Sequence, residues 1–155
     1  MTEDMIRIVD GSPFDIDAVM EVMTGSFEPA FGEAWTAPQC AGLLPMPGVW
    51  LTLARQSDEP IGFALGRIVA DEAELLLLAV KQKDQGKGVG KTLLSTFAEK
   101  AQSKGATTLH LEVRDGNHAV NLYKFFGFFE VGRRRNYYTG GNGEAFDAIT
   151  LLKRI

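Results

Sequence analysis

Residues 75–104 limit what this chain can fold into more than any other part of it. Six consecutive apolar residues, Leu75-Leu76-Leu77-Leu78-Ala79-Val80, lead toward a glycine-rich loop, Gln85-Gly86-Lys87-Gly88-Val89-Gly90, and the loop leads into a strongly periodic stretch. An apolar run of that length, bounded by polar residues, has the dimensions of a buried strand. Val89, Leu93, Leu94, Phe97 and Ala101 fall on one face of a helix over residues 88–104, and Gly105 ends it. Residues 109–114 are the next strand, with Leu109, Leu111 and Val113 on one face and His110, Glu112 and Arg114 on the other. Strand, helix and strand in that order make a parallel pair joined by a right-handed crossover.

The remaining segments fit around this unit. Residues 5–9 favour a strand, and Ser12-Pro13 opens a helix with Ser12 as cap and Pro13 in its first position. Phe14, Ala18, Val22 and Ser26, with Val19 and Met23 beside them, form its apolar stripe, and Asp15, Asp17 and Glu21 take the wet side. Thr36-Ala37-Pro38-Gln39 has the pattern of a capping box for a short helix through Leu44. Then the period changes: strands at 49–54, 61–69 and 73–80, with turns at Ser57-Asp58-Glu59-Pro60 and Asp71-Glu72, form an antiparallel meander. Asn117 caps a helix over 118–126 that stops at Gly127, and strands at 128–136 and 145–152 are joined through the loop 139–143. The fold class is mixed α/β, a largely antiparallel sheet with one parallel pair, flanked by about four helices.

Composition narrows the function. At 155 residues the chain is long enough to bury one apolar core without disulfides, and residues 1–155 are expected to form a single domain. A formal charge of −4 argues against direct nucleic-acid binding, which needs a clustered basic face. Cys40 is the only cysteine, the start Met1-Thr2-Glu3-Asp4 is acidic, and no apolar run nears the ~18 residues of a membrane span, so a cytoplasmic protein without a membrane partner is expected. His110 and His118 lack companions at ligand spacing, so no metal is expected.

A loop between a strand and a helix N-terminus directs free backbone amides and the helix dipole at an anion. Gly86, Gly88 and Gly90 allow close approach of the main chain, which points to a phosphorylated ligand; the alternative is a tight, flexible turn. Gly90-Lys91-Thr92 would close a nucleotide P-loop, but its first glycine should then stand where Gln85 does. A dinucleotide fingerprint fails too, since its third glycine would fall at Lys91, or at Leu93 if it started at Gly88.

Gln85, Gly88 and Gly90 do match Gln-x-x-Gly-x-Gly, and here the chain resembles the GCN5-related N-acetyltransferase (GNAT) family. The likeness extends through Leu78-Ala79-Val80, Leu93-Leu94, Leu111-Glu112-Val113, Asn117, Leu122-Tyr123 and Gly127-Phe128. Within the family, Leu111-Glu112-Val113-Arg114, Arg134-Arg135-Asn136-Tyr137-Tyr138 and Asp147-Ala148-Ile149 are similar to the RimI-like ribosomal-protein alanine N-acetyltransferases. The N-terminal half departs, with Phe27-Glu28-Pro29-Ala30-Phe31-Gly32-Glu33-Ala34-Trp35-Thr36 where family members have a shorter approach to Pro-Trp-Ser/Thr.

The resemblance implies a single-domain GNAT-like fold whose parallel pair opens at an acetyl-CoA site, with acetyl-CoA as co-substrate and no metal. It implies that Leu78, Ala79 and Val80, the loop from Gln85 through Gly86, Lys87, Gly88, Val89 and Gly90 to Lys91 and Thr92, and Asn117 and Tyr123 bind the cofactor. It makes Glu112 the general base, against the alternative of a solvated glutamate paired with a neighbour such as Arg114, and Tyr123 the group that protonates the departing thiolate, against that of a core aromatic. A backbone N–H at or beside Val80 would polarise the thioester carbonyl. Tyr137 and Tyr138 would line the slot for a peptide N-terminus, the alternative being half-covered strand aromatics. Trp35 and Trp50 read as packing residues, and the place of Trp35 in the departing segment puts it beside the acceptor pocket. Arg133-Arg134-Arg135 reads as a solvated strand end.

The implied reaction is acetyl transfer to the N-terminal α-amino group of a protein, of the ribosomal-protein alanine type, with a small amine such as an amino acid, polyamine or antibiotic as the alternative acceptor. An α-amino group, with a pKa of about 7.7–8.0, asks less of a carboxylate base than a lysine at about 10.4. A nucleotide-binding module using Gly90-Lys91-Thr92 and a non-catalytic acetyl-CoA sensor are competing classes; Gln85 counts against the first, and Glu112 with Tyr123 against the second.

Overall fold

The computed structural model describes residues 5–155. Strand β1 (Ile6–Asp10) is followed by a 3-10 turn at Pro13–Asp15 and helix α1 (Ile16–Ser26), then helix α2 (Ala37–Leu43). Strands β2 (Val49–Gln56), β3 (Glu59–Val69) and β4 (Glu72–Val80) form the meander. Helix α3 (Val89–Ser103), strand β5 (Thr108–Arg114), helix α4 (Ala119–Phe125) and strands β6 (Phe129–Thr139) and β7 (Ala145–Arg154) complete the chain. The strands make one sheet in the order β1-β2-β3-β4-β5-β7-β6, antiparallel except between β4 and β5. This is the mixed α/β architecture expected from the sequence. No helix among the described residues is long and apolar enough to cross a membrane.

The central strands of the sheet are buried on both faces. On one, Val89, Leu93, Leu94, Phe97 and Ala101 of α3 pack against Ala64, Leu75 and Leu109, the same five α3 residues that the periodicity selects. On the other, Val19, Val22 and Met23 of α1 and Cys40 of α2 cover Leu53, Phe63 and Leu77. A β-bulge decides which β4 residues go where. Pairing with β3 shifts register between Leu65↔Leu77 and Gly66↔Leu75, which leaves Leu76 as the extra residue. Ala73 and Leu75 therefore join the α3 side, whereas Leu77 and Ala79 join the α1 side, although all four are two apart and a regular strand would keep them together.

Several boundaries differ from the sequence reading, each for a local reason. Ser12 caps the 3-10 turn in a reciprocal box with Asp15, so Phe14 falls outside the α-helical register and is 96% exposed instead of extending the stripe. The first hairpin turns on Ser57 and Asp58 alone, with φ of 51° and 62°, and Glu59-Pro60 belong to β3. Pro60 is accommodated there because the pairing is irregular beside its partner Arg55. Helix α4 starts at Ala119, with His118 as its cap, one residue later than a cap at Asn117 would give, although Asn117 Oδ1 still accepts the Ala119 N–H at 2.8 Å. Strand β6 runs on through Tyr137 and Tyr138 to Thr139, past a bulge where Asn136 takes φ 53°.

Gly66 sits under the stacked rings of Trp50 and Phe97, whose centroids are 5.5 Å apart. A Cβ there would lie 2.7 Å from Trp50 and 2.9 Å from Phe97. Gly66→Ala is expected to cost about 1–3 kcal/mol by forcing these rings apart. Urea unfolding followed by far-UV circular dichroism measures it, and an unchanged midpoint would contradict this packing.

Candidate active site

The site is created where β4 and β5 part. They pair only through Glu72↔Thr108, Ala73↔Leu109, Glu74↔His110 and Leu75↔Leu111, after which the Leu76 bulge turns β4 away. On its other edge β4 stays with β3 to the end, and Lys81 N–H donates to Ile61 C=O at 2.9 Å. Antiparallel strands alternate hydrogen-bonded and non-hydrogen-bonded pairs, so this bond turns the main-chain groups of Val80 and Leu78 away from β3 and toward the gap. Gln85 Nε2 already donates to Val80 C=O at 3.1 Å across it. The gap continues into a cleft of about 1240 Å³.

One wall is an anion cradle. Leu78, Ala79 and Val80 lead to Gln85, Gly86 and Gly88, and the first turn of α3 with Val89, Gly90 and Lys91 closes it; all border the cleft. Thr92 N–H donates to Gly88 C=O at 3.1 Å, which leaves the amides of Val89, Gly90 and Lys91 without intrahelical acceptors. No side chain caps this helix end. Gly86 and Gly88 take φ of 83° and 82°, and a Cβ at either would meet nothing within 4 Å, so conformation and not crowding calls for glycine there. The open space beside uncapped amides at a positive dipole end fits a diphosphate. The side chains of Lys87 and Thr92 serve the loop itself: Lys87 Nζ pairs with Asp84 at 2.9 Å, and Thr92 Oγ1 donates to Gly88 C=O at 3.0 Å.

The opposite wall carries the groups suited to proton transfer. Glu112 and Tyr123 border the same cleft as the cradle, as do Trp35, Asn117, Tyr137 and Tyr138. The Glu112 partner is Arg134, at 3.0 Å from Oε1, and not its strand neighbour Arg114. Its Oε2 is buried and has no hydrogen-bond partner among the described residues, so one carboxylate oxygen is left unpaired. Tyr123 is buried on α4, edge-on to Phe128. Burial foremost, then the charges of Tyr138 and Glu33, pushes its phenol well above the usual tyrosine range. Burial does the same to Tyr138, helped by Glu33. Tyr137 and Tyr138 meet edge to face at 5.0 Å, and Trp35 packs partly into the α1-side core while bordering the cleft.

Two features were not legible beforehand. Glu33, from the irregular segment before α2, receives Arg114 Nε at 3.0 Å on one oxygen and Asn117 Nδ2 at 2.7 Å on the other. No local pattern announces a contact across 81 residues of sequence. The amide of Asn117 is thereby committed on both sides, to Glu33 and to the α4 cap. The arginine run is also more than a solvated end, since Arg133 bridges Asp115 at 2.7 Å and Asp147 at 2.9 Å while Arg134 holds Glu112. Among the described residues no group of three or more His, Cys, Asp or Glu could hold a metal ion.

A splayed parallel pair, an uncapped helix behind a Gln-x-x-Gly-x-Gly loop and a cleft shared by a carboxylate and a buried phenol are those of an acyltransferase that takes its acyl group from a coenzyme A thioester. The chain belongs to the acetyltransferase (GNAT) family, whose model matches residues 16–128. It is 41% identical over 96 residues to the [ribosomal protein bS18]-alanine N-acetyltransferase of Haemophilus influenzae, a match covering 62% of this chain and 66% of that one. It is 36% identical over 143 residues to the putative enzyme of the same name in Bacillus subtilis, covering 91% and 90%. The crystal structure of the ribosomal-protein-S18-alanine N-acetyltransferase from Escherichia coli superposes with a TM-score of 0.87 at 31% identity, over 97% of this chain and 94% of that one. Acetyl-CoA is the acetyl donor in this family, and the cradle described above suits its diphosphate.

The raised tyrosine pKa values carry a stability consequence. Above about pH 10 an unfolded tyrosine loses its proton while Tyr123 and Tyr138 keep theirs, so the folded state binds more protons and stability falls as pH rises. Urea midpoints are expected to drop from about pH 10 upward, and to drop less in Tyr123→Phe. Parallel profiles for the two proteins would show that burial does not hold the Tyr123 proton.

Proposed function

We propose that the chain acts as one N-acetyltransferase domain over residues 1–155 and acetylates the N-terminal α-amino group of a protein, with an alanine at the start of a ribosomal protein as its acceptor. The observation that carries this reading is the half-free carboxylate of Glu112, set in the same cleft as the anion cradle and the tyrosine pair. The relatives named for bS18 alanine acetylation support the acceptor. Ribosomal proteins are made in the cytoplasm, and the enzyme is placed there.

In this reading the amides of the cradle hold the diphosphate and the Val80 N–H polarises the thioester carbonyl at the open edge of β4. Glu112 accepts the amine proton on Oε2, directly or through water, as the carbon–nitrogen bond forms. Glu33 is unsuited to that task because both its oxygens are already engaged. As the carbon–sulfur bond breaks, Tyr123 donates its proton toward the departing sulfur. Burial keeps the phenol protonated until the step begins; it makes Tyr123 a weaker acid, and the same dry surroundings, by disfavouring a bare thiolate, offset that in the transfer to sulfur. Trp35, Tyr137 and Tyr138 border the slot through which the peptide enters. A free α-amino group reaches its neutral form near physiological pH, and a carboxylate suffices as base.

Incubation of a peptide with the N-terminal sequence of the ribosomal protein should add one acetyl group, as read by intact mass. No gain there, with activity on free amino acids or polyamines, would transfer the assignment to a small-amine acceptor. Glu112→Gln is expected to lower kcat by about 10²–10⁴-fold while leaving acetyl-CoA affinity within about twofold. A loss of binding in proportion to turnover would remove Glu112 from the role of base.

A further inference from the structure

Residues 27–36 cross the acceptor side of the cleft without regular structure beyond a 3-10 turn at Pro29–Phe31. Their main chain is held against the β6–β7 hairpin: Gly141 N–H donates to Pro29 C=O at 2.9 Å, and Gly32, at φ 68°, passes so close that a Cβ would lie 2.0 Å from Thr139 C=O. Their side-chain anchorage converges on Glu33. Its two oxygens bind two different elements, Arg114 at the end of β5 and Asn117 ahead of α4, and the Glu33 and Arg114 side chains are only 9% and 10% exposed. The Arg114 guanidinium lies 3.7 Å from the centroid of Phe31, which meets Phe146 edge-on at 5.4 Å.

These contacts lead to both candidate catalytic groups. Arg114 stands two residues beyond Glu112 on the same strand face, and Asn117 passes its other amide atom to the first turn of the helix that carries Tyr123. A buried, doubly hydrogen-bonded carboxylate is a poor source of net stability, because desolvation offsets most of the attraction, but it strongly specifies geometry. From this convergence we infer that Glu33 is a positioning residue for the transfer reaction, locking the acceptor-side segment, the end of β5 and the start of α4 into one frame. The inference rests on the acetyl-transfer reading above. The hydrogen bonds of Glu33 go to β5 and to the approach to α4, and none goes to the loop from Gln85 to Lys91. Both polar atoms of the Asn117 side chain go to protein partners, so the influence of Glu33 is on the acceptor and on Tyr123 and not on the diphosphate cradle.

Glu33→Gln keeps the shape and removes the charge, so one of the two donors loses its acceptor and Arg114 loses its counter-ion. The peptide KM is expected to rise about tenfold, with acetyl-CoA affinity unchanged within about twofold by calorimetric titration. Glu33→Asp, which keeps the charge but is too short to span both partners, should fall between it and the unmodified chain, and it stands in if Glu33→Gln does not fold. An unchanged KM, or an acetyl-CoA dissociation constant that rises in step with KM, overturns the inference. Amide hydrogen exchange on the same variants tests it independently of the acceptor: protection should fall together in residues 27–36 and 115–121 and hold in 85–104. Exchange unchanged in both of the first two segments also overturns it. A chain that acetylates no peptide but shows the expected exchange pattern would count against the proposed acceptor and leave the Glu33 frame standing.

Discussion

The separation of β4 from β5 after Leu75 is the feature on which the rest depends. Main-chain amides inside a protein must find partners, and a sheet normally supplies them along its whole length. Here one extra residue, Leu76, removes half of those partners from the last part of β4 while β3 keeps the other half satisfied. The strand therefore stays rigid and yet presents Leu78 and Val80 main-chain groups to a cleft. A second set of unpaired amides, at the start of α3, faces the same space. A ligand with a diphosphate at one end and amide and carbonyl groups behind it completes the hydrogen bonding that the fold leaves open.

The same bulge arranges the two cores. By switching Leu77 and Ala79 to the α1 side it lets α1 and α2 seal one face of β4, while α3 seals the other with Leu78 and Val80 packed against it. Both chemical walls are thus hung on rigid, well-covered elements. The acceptor side has fewer apolar anchors and is held instead by a polar convergence, Glu33 with Arg114 and Asn117, and by ring contacts through Phe31. The proposed chemistry is divided in the same way: in it main chain handles the donor, and side chains handle the acceptor and the protons.

Legibility in the sequence followed the range of the interactions. The buried face of helix α3 was readable to the residue because its five buried positions repeat at helical spacing, and the capping box at Thr36 and Gln39 was readable because both bonds are local. Phe14 was misplaced because a 3-10 turn changes the angle per residue, and side-chain spacing alone does not distinguish the two helices over a single turn. The partner of Glu112 was not legible, since the ion pair to Arg134 crosses from β5 to β6 with β7 between them. The arginine run looked solvated for the same reason, its acidic partners lying on other strands and turns.

By itself the sequence determined the strand-loop-helix cradle and the order of the elements, because these rest on periodicity, caps and glycine positions that act within about ten residues of one another, and its motifs carried the resemblance to the family. Only the tertiary structure decided where β4 leaves β5, which oxygen of Glu112 stays free and which residues the acceptor segment grips. Each of those depends on pairing between strands or loops far apart in the chain. Register and ion-pair choice are set there by the packing of whole layers, not by the residues on either side.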